Sequence, residues 1–134
     1  MRWFALILPL LASCSPGWGP MDAGKYVHIE PEAAPGYAIG TWTGGLGPYV
    51  MTMKIEGDGH VATCHSWNYR DGVGKAKMAA SQLYFSDGSF AEVSQSEGGL
   101  IITPLGEVKH SSEFVRDESL KLAAPSCEEY FRQK

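Results

Sequence analysis

Apolar and polar positions alternate with a period of two through much of the chain. The clearest case is the run 49–55, where Tyr, Met, Met and Ile occupy every second position. A period of two predicts a strand with one buried face. Asp-Gly pairs at 58–59, 71–72 and 87–88 favour turns that need positive φ and match the twist of paired strands. We therefore expect a mainly β domain over residues 37–134, a small antiparallel meander closed into a barrel or a sandwich.

The β-rich runs between these turn signals are nine in number, and one helix signal follows them. The runs are 37–43, 49–55, 60–69, 75–80, 82–85, 90–94, 100–103, 108–114 and 119–122. After Pro125, Ser126 and Glu129 have the spacing of a capping box, which predicts one short C-terminal helix. Cys127, Tyr130 and Phe131 would share one face of that helix, and we expect this face to pack on the sheet.

The N-terminus has the pattern of a secretory signal. Arg2 is followed by an apolar run over 3–12, which is too short to span a bilayer. Leu11-Ala12-Ser13-Cys14 resembles a bacterial lipobox. The resemblance implies that residues 1–13 are a signal peptide and that Cys14 carries lipid after cleavage. Ser15, rather than an Asp, then implies an outer-membrane lipoprotein facing the periplasm in a Gram-negative host.

Composition separates a tether from the domain and excludes one class of partner. Residues 14–36 are rich in Pro and Gly, which favours a lipidated flexible tether, with at most a short edge strand at 26–29. Without Arg2 the chain has 10 basic and 15 acidic residues. This net negative charge has no basic footprint for nucleic acid. The expected partner is the membrane, through the lipid on Cys14.

The two remaining cysteines, Cys64 and Cys127, form an even pair in an oxidising compartment. We predict a disulfide between them, which would close a loop of about 64 residues and stabilise the domain by roughly 4 kcal/mol. The alternative makes Cys64 a reactive thiol or a metal ligand beside His60 and His65. Neighbouring side chains of a strand point to opposite faces, and two ligands fall short of the four of a structural zinc site. We therefore expect neither metal nor cofactor.

His65, Trp67 and Tyr69 are spaced by two and would line one face of a strand. If the opposite face, with Cys64, packs inward, these aromatic residues form an outer surface of the kind that anchors interfaces. The alternative, which packing favours, makes them the core face and leaves the disulfide at the rim. Together with Trp42 they are the candidate binding surface. No nucleophile elbow and no His–Asp pairing is readable, so we expect no catalytic activity.

Gly40-Thr41-Trp42-Thr43-Gly44, Gly47-Pro48, Asp58-Gly59, Cys64 and Leu120-Lys121-Leu122 before Cys127 together resemble a family of short Gram-negative lipoproteins of the Acinetobacter type. The resemblance covers roughly residues 39–127 and implies a class and a location, without a mechanism. Gly-x-Trp at the start of a barrel also resembles the lipocalins. The expected function is a binding or structural role in the cell envelope, with an envelope protein or peptidoglycan as partner. The alternatives are a carrier of a small apolar ligand and an inhibitor of a lytic enzyme.

Overall fold

The computed structural model describes residues 23–105 and 110–134. Eight antiparallel strands form a closed barrel in which each strand pairs with its sequence neighbours and the last pairs with the first. The strands are β1 Gly40–Leu46, β2 Tyr49–Ile55, β3 His60–Trp67, β4 Arg70–Ala79, β5 Gln82–Phe85, β6 Phe90–Gln95, β7 Gly99–Pro104 and β8 Ser112–Arg116. Helix α1 spans Ala23–His28, a 3₁₀ helix spans Gly36–Ala38, and helix α2 spans Pro125–Arg132. The expected mainly β fold with one short C-terminal helix is confirmed, as a barrel.

Because apolar and polar residues alternate along a strand, one of every two successive side chains points into the barrel. In β2, Met53 and Ile55 are buried while Lys54 between them is exposed. Every strand contributes at least one large or β-branched apolar side chain to the interior. These side chains are Trp42, Met53, Ile55, Val61, Met78, Leu83, Val93, Leu100, Ile102 and Phe114. These side chains pack together in the middle of the barrel and form one contiguous core.

One end of the barrel is closed by the segment before β1. The amide of Glu32 donates to the Met78 carbonyl at 2.9 Å, and the amide of Ala34 donates to the Gly57 carbonyl at 3.0 Å. Ala38, in the 3₁₀ helix, is fully buried. Residues 23–36 therefore differ from the flexible tether that the sequence predicts, and residues 26–28 are helical instead of an edge strand. Backbone hydrogen bonds and the buried Ala34 attach this segment to the barrel, although it contains two prolines and two glycines. Residues 1–22, with the expected signal peptide and Cys14, lie outside the described residues.

The β3–β4 turn lies three residues before the predicted one at 71–72. Trp67 pairs with Arg70, so the turn consists of Asn68 and Tyr69, with φ of 49° and 62°. Two consecutive residues with positive φ are typical of the tight hairpin turn that matches strand twist. The pair at 71–72 instead lies within β4. The end of β3 at Trp67 also removes Tyr69 from the strand.

Residues 119–122 form a turn, not the ninth strand that the sequence predicts. The carboxylate of Asp117 accepts hydrogen bonds from the amides of Lys121 and Leu122 at 2.9 and 3.0 Å, and from the Thr43 hydroxyl at 3.0 Å. Asp117 is 4% exposed, so these donors supply the partners that a buried carboxylate requires. The turn leads the chain back across the outside of the barrel towards α2.

Helix α2 packs on the outer face of β3. It begins at Pro125 with Ala124 as N-cap and without a side-chain capping bond, so the predicted capping box at Ser126 is wrong. Pro125 suits the first helical position because its missing amide would have no partner there. Cys127 and Phe131 are buried, and a disulfide joins Cys127 to Cys64 with their Cα atoms 5.5 Å apart. Among residues 23–105 and 110–134, no helix is long and apolar enough to cross a membrane.

Candidate binding surface at the open end of the barrel

The end of the barrel opposite the 3₁₀ helix is formed by the β1–β2, β3–β4 and β5–β6 turns, and we call it the open end. Nine large apolar side chains of the described residues are exposed, and five of them lie on β2, β3, β4 and the β3–β4 turn near this end. These five define the corner surface: Tyr49, Val50, Trp67, Tyr69 and Val73, which are 38%, 42%, 46%, 99% and 61% exposed. Exposed apolar side chains concentrated in one region of a small domain mark an interaction site.

His65 and Trp67 lie on the inward face of β3 but near its end, where the barrel is open. The ring of Tyr49 meets the rings of His65 and Trp67 edge-on, with centroids 5.0 and 6.2 Å apart. The imidazole of His65 lies over Gly72 of β4, where a Cβ atom would come within 2.6 Å of the ring. The glycine therefore leaves the space that this ring occupies. The favoured interpretation, that the stripe faces inward, is correct in direction, yet Trp67 remains half exposed.

Cys64 and Ala62 point outward, where α2 covers them. Leu120, Cys127 and Phe131 complete this second apolar cluster outside the barrel. The two faces of β3 are thus both covered in the middle of the strand. Near the open end its last inward side chains, His65 and Trp67, are partly exposed to solvent.

Trp42 does not belong to a binding surface, and this part of the candidate set is wrong. It is 3% exposed and its indole N–H donates to the Ala38 carbonyl at 2.8 Å. The guanidinium of Arg116 lies 4.4 Å from the ring centroid and donates to the Ile39 carbonyl at 3.1 Å. Trp42 therefore secures the segment before β1 to the barrel wall. Its position at the start of β1 places it at the closed end.

Tyr69 reaches solvent because it lies in the turn. Val50 and Val73, which the sequence did not single out, are apolar at outward positions of β2 and β4. Polar residues are the rule at such positions of a strand with one solvated face. An apolar residue on the expected polar face was the available signal for both.

Three depressions adjoin the corner surface. One, of about 370 Å³, is lined mainly by apolar groups of Leu46, Pro48, Tyr49 and Pro104, with His110 at its side. Another, of about 130 Å³, lies between β4 and the β5–β6 turn and is bordered by Met51, Thr63, His65 and Phe85. The third, of about 620 Å³, lies between Tyr69 and helix α2. A drug-sized ligand pocket usually measures 300–1,000 Å³, so the second is too small for a small molecule, and of the other two the first has the more apolar lining.

The described residues show one His–acid pair. Asp58 and His60 are 3.1 Å apart, with side chains 69% and 62% exposed. The hydrogen bond from the backbone amide of His60 is the main cause of the lowered pKa of Asp58. The pair belongs to the β2–β3 turn at the closed end, and no hydroxyl or thiol of the described residues hydrogen-bonds to it. No cluster of metal-ligating side chains occurs in residues 23–105 and 110–134.

The comparisons with known proteins agree with the barrel fold. A family model described as "Bacterial lipocalin LPS transport optimiser YedD" matches residues 23–131. The crystal structure of a lipoprotein YedD from Klebsiella pneumoniae superimposes with a TM-score of 0.55 at 14% sequence identity, over 81% of this chain and 92% of that chain. At this identity the likeness shows the fold alone. No curated protein matches the chain.

Proposed function

We propose that this chain, which belongs to the YedD family of bacterial lipocalins, is a lipid-anchored, non-catalytic protein of the cell envelope that binds an envelope protein through its corner surface. The family description adds the process that such binding would serve, which is LPS transport. The observation that carries the proposal is the concentration of exposed apolar side chains near the open end. Tyr and Trp are the residue types most enriched at the centres of protein interfaces.

The packed interior supports protein contact over transport of a lipid inside the barrel. The core cluster inside the barrel includes Leu83, Leu100 and Phe114, whose side chains are fully buried. An acyl chain would have to displace such side chains, each of which contributes about 1.5–3 kcal/mol by burial. A role in LPS transport through contact with another protein needs no such rearrangement.

The proposal is tested in a strain that lacks the protein. Trp67→Ala combined with Tyr69→Ala removes the largest exposed rings of the corner surface. Val27→Ala combined with Leu122→Ala removes two apolar side chains that are 64% and 57% exposed elsewhere, and it is the matched control. We expect the first pair to fail to restore LPS at the cell surface and resistance to large antibiotics, and the control to restore both. Full restoration by the first pair, at equal protein level, would refute the proposal.

Anchoring by lipid on Cys14 and location in the outer membrane are part of the same proposal. Family membership supports a lipoprotein of the cell envelope. Replacing Cys14 by Ala should abolish incorporation of labelled palmitate and release the protein from the membrane fraction. Uptake of label by the Ala variant would contradict the assignment to this cysteine. Separation of inner and outer membranes by density tests the location.

A small apolar ligand is the second candidate, favoured by the 370 Å³ depression beside Leu46 and Pro104. The filled interior would place such a ligand at the open end, not inside the barrel. Leu46→Asp, a charge in this depression, should weaken binding of an apolar fluorescent dye at least tenfold. Val27→Asp, a control on α1 at a position that is 64% exposed, should not. Absence of dye binding by the parent protein would remove this candidate.

A further inference from the structure

The edge of β4 nearest the open end has no partner strand among the described residues. On one side, β3 pairs with β4 from Arg70 to Lys77. On the other side, β5 pairs only with 76–79, and one more hydrogen bond runs from the Ser86 amide to the Lys75 carbonyl at 2.9 Å. The stretch 70–74 is therefore a free edge five residues long. Unpaired backbone groups on a strand edge are a template for another strand.

The direction of the Lys75 carbonyl identifies the free groups. Because N–H and C=O of a strand residue point to the same side and alternate along the strand, those of Asp71 and Val73 point away from β3 as well. Those of Gly72 and Gly74 point towards β3. The free edge thus offers two amides and two carbonyls in the spacing of an antiparallel ladder.

A pocket adjoins this edge on the inward side. It has a volume of about 130 Å³, and Gly74 forms one wall beside Thr63 and Phe85. An apolar cavity of about 150 Å³ holds a benzene ring, so this pocket accepts one apolar side chain. Gly74 presents no side chain here, and a Cβ would stand 3.0 Å from the Thr63 hydroxyl. Glycine within a strand often marks the place where another backbone approaches closely.

The outward side of the edge is acidic. Asp71 and Glu129 of α2 line one surface depression, together with Ser66 and Ser126. Neither carboxylate forms an ion pair with the described part of the chain. A basic side chain opposite Asp71 would face both carboxylates, and opposite charges across a strand pair are stabilising.

From these observations we infer that the free edge of β4 receives an extended segment of an envelope protein as an added antiparallel strand. Its residue opposite Gly74 is apolar and enters the pocket, and its residue three positions later is Lys or Arg and lies opposite Asp71. Strand addition of this kind derives affinity from main-chain hydrogen bonds and specificity from alternate side chains. The inference deepens the proposed binding role, on which it rests.

Hydrogen exchange measured by NMR on the mature protein in detergent micelles tests the edge directly. In the free protein, the amides of Asp71 and Val73 should exchange fast, while those of Gly72 and Gly74 should be protected. The probe is a synthetic ten-residue peptide that begins with Leu-Val-Thr-Lys and continues with six Ser residues, because a residue before Leu would lie opposite Lys75, where Ser86 already bonds. It should bind saturably and slow exchange of the two edge amides at least tenfold. The same peptide with Glu in place of Lys should bind at least fivefold more weakly.

A pair of variants at one position separates the backbone from the side chain. Val73→Pro removes the amide that faces the free edge and leaves the hydrogen bonds to β3 in place. Val73→Thr keeps that amide and is the matched control. Peptide binding should be lost in the first and kept in the second. Gly74→Leu, which fills the pocket and keeps the edge, should weaken binding of the peptide that begins with Leu at least tenfold.

Four results would overturn the inference. The first is protection of the Asp71 and Val73 amides in the free protein, which would mean that the edge is already covered. The second is a concentration-dependent dimer that Val73→Pro dissociates, since a second copy would then be the occupant. The third is peptide binding that is equal in the Pro and Thr variants. The fourth is restoration of LPS transport by Val73→Pro when the Trp67 and Tyr69 double variant does not restore it. This result would refute strand addition at the β4 edge and leave the proposed function intact.

Discussion

Loss of the disulfide between Cys64 and Cys127 should be the largest destabilisation available from a conservative change. Both residues are essentially fully buried, between the outer face of β3 and α2. They are separated by 63 residues, which include five complete strands after β3. The double variant Cys64→Ala, Cys127→Ala removes the crosslink and leaves two small apolar side chains in the same cluster.

The magnitude follows from the length of the closed loop. The chain-entropy relation gives about 14 cal/mol/K for a loop of this length, or about 4 kcal/mol at 25 °C. A single domain has a free energy of unfolding of about 5–15 kcal/mol, so the bond supplies a large share. With an unfolding entropy of about 2.1 cal/mol/K per residue over some 110 residues, the melting temperature should fall by roughly 15–20 °C.

The loss should begin at α2. This helix has eight residues, too few for stability in isolation, and only Phe131 and part of Tyr130 hold its apolar face besides Cys127. Amide exchange in α2 should therefore accelerate before that of β2 and β3. The barrel strands pair with their neighbours independently of α2 and should unfold later.

Urea unfolding followed by circular dichroism, with thermal melts and exchange on the same samples, checks these expectations. Cys14→Ala is the control for removal of a cysteine outside the crosslink. A double variant whose free energy of unfolding falls by less than about 1 kcal/mol would refute the reasoning from loop entropy. Two free thiols in protein isolated from the periplasm would refute the disulfide itself.

Three further changes have magnitudes set by named contacts, each measurable by urea unfolding. Arg116→Ala removes the cation above the Trp42 ring and should reduce stability by about 1–2 kcal/mol, with Arg116→Lys intermediate. Asp117→Ala leaves buried donors unpaired and should cost about 2–4 kcal/mol, while Asp117→Asn should cost less. Gly44→Ala places a Cβ 2.6 Å from the Phe114 ring and should cost about 1–3 kcal/mol, whereas Gly98→Ala, in open space and without positive φ, should cost under about 1 kcal/mol. An equal effect of the last two substitutions would contradict the packing argument.

The fold class was predictable because each strand repeats a simple rule. A half-buried strand must alternate, and the run 49–55 places Met51, Met53 and Ile55 on its buried inward face. Asp58-Gly59 and Asp87-Gly88 lie in turns, as predicted, with positive φ at the glycines. Such local rules do not require knowledge of distant contacts. The meander follows because sequential strands joined by short turns pair with each other.

The segment 23–36 was not predictable from composition. Pro and Gly give no periodicity, and the amide of Glu32 finds its acceptor 46 residues away in the chain, at Met78. The same limit applies to Asp117. One of its three hydrogen-bond donors lies in β1 and the other two lie in the turn that follows Asp117. A run such as 119–122 is β-rich by residue type, yet a buried carboxylate fixes it as a turn. Tertiary hydrogen bonds override propensity at both places.

Only part of the candidate binding surface could be predicted from the sequence. A period of two assigns His65 and Trp67 to one face of the strand, but it does not say how far along the barrel axis each side chain lies. This depth depends on where the hairpin turns, and the turn at Asn68–Tyr69 makes β3 end at Trp67. Trp67 pairs with Arg70 of β4, whereas β5 pairs only with residues 76–79 of β4. The same alternation that buries Val61 therefore leaves Trp67, at the end of the strand, 46% exposed. Inward side chains near the end of a strand thus become a surface, and the unpaired edge of β4 beside them follows from the same difference in strand length.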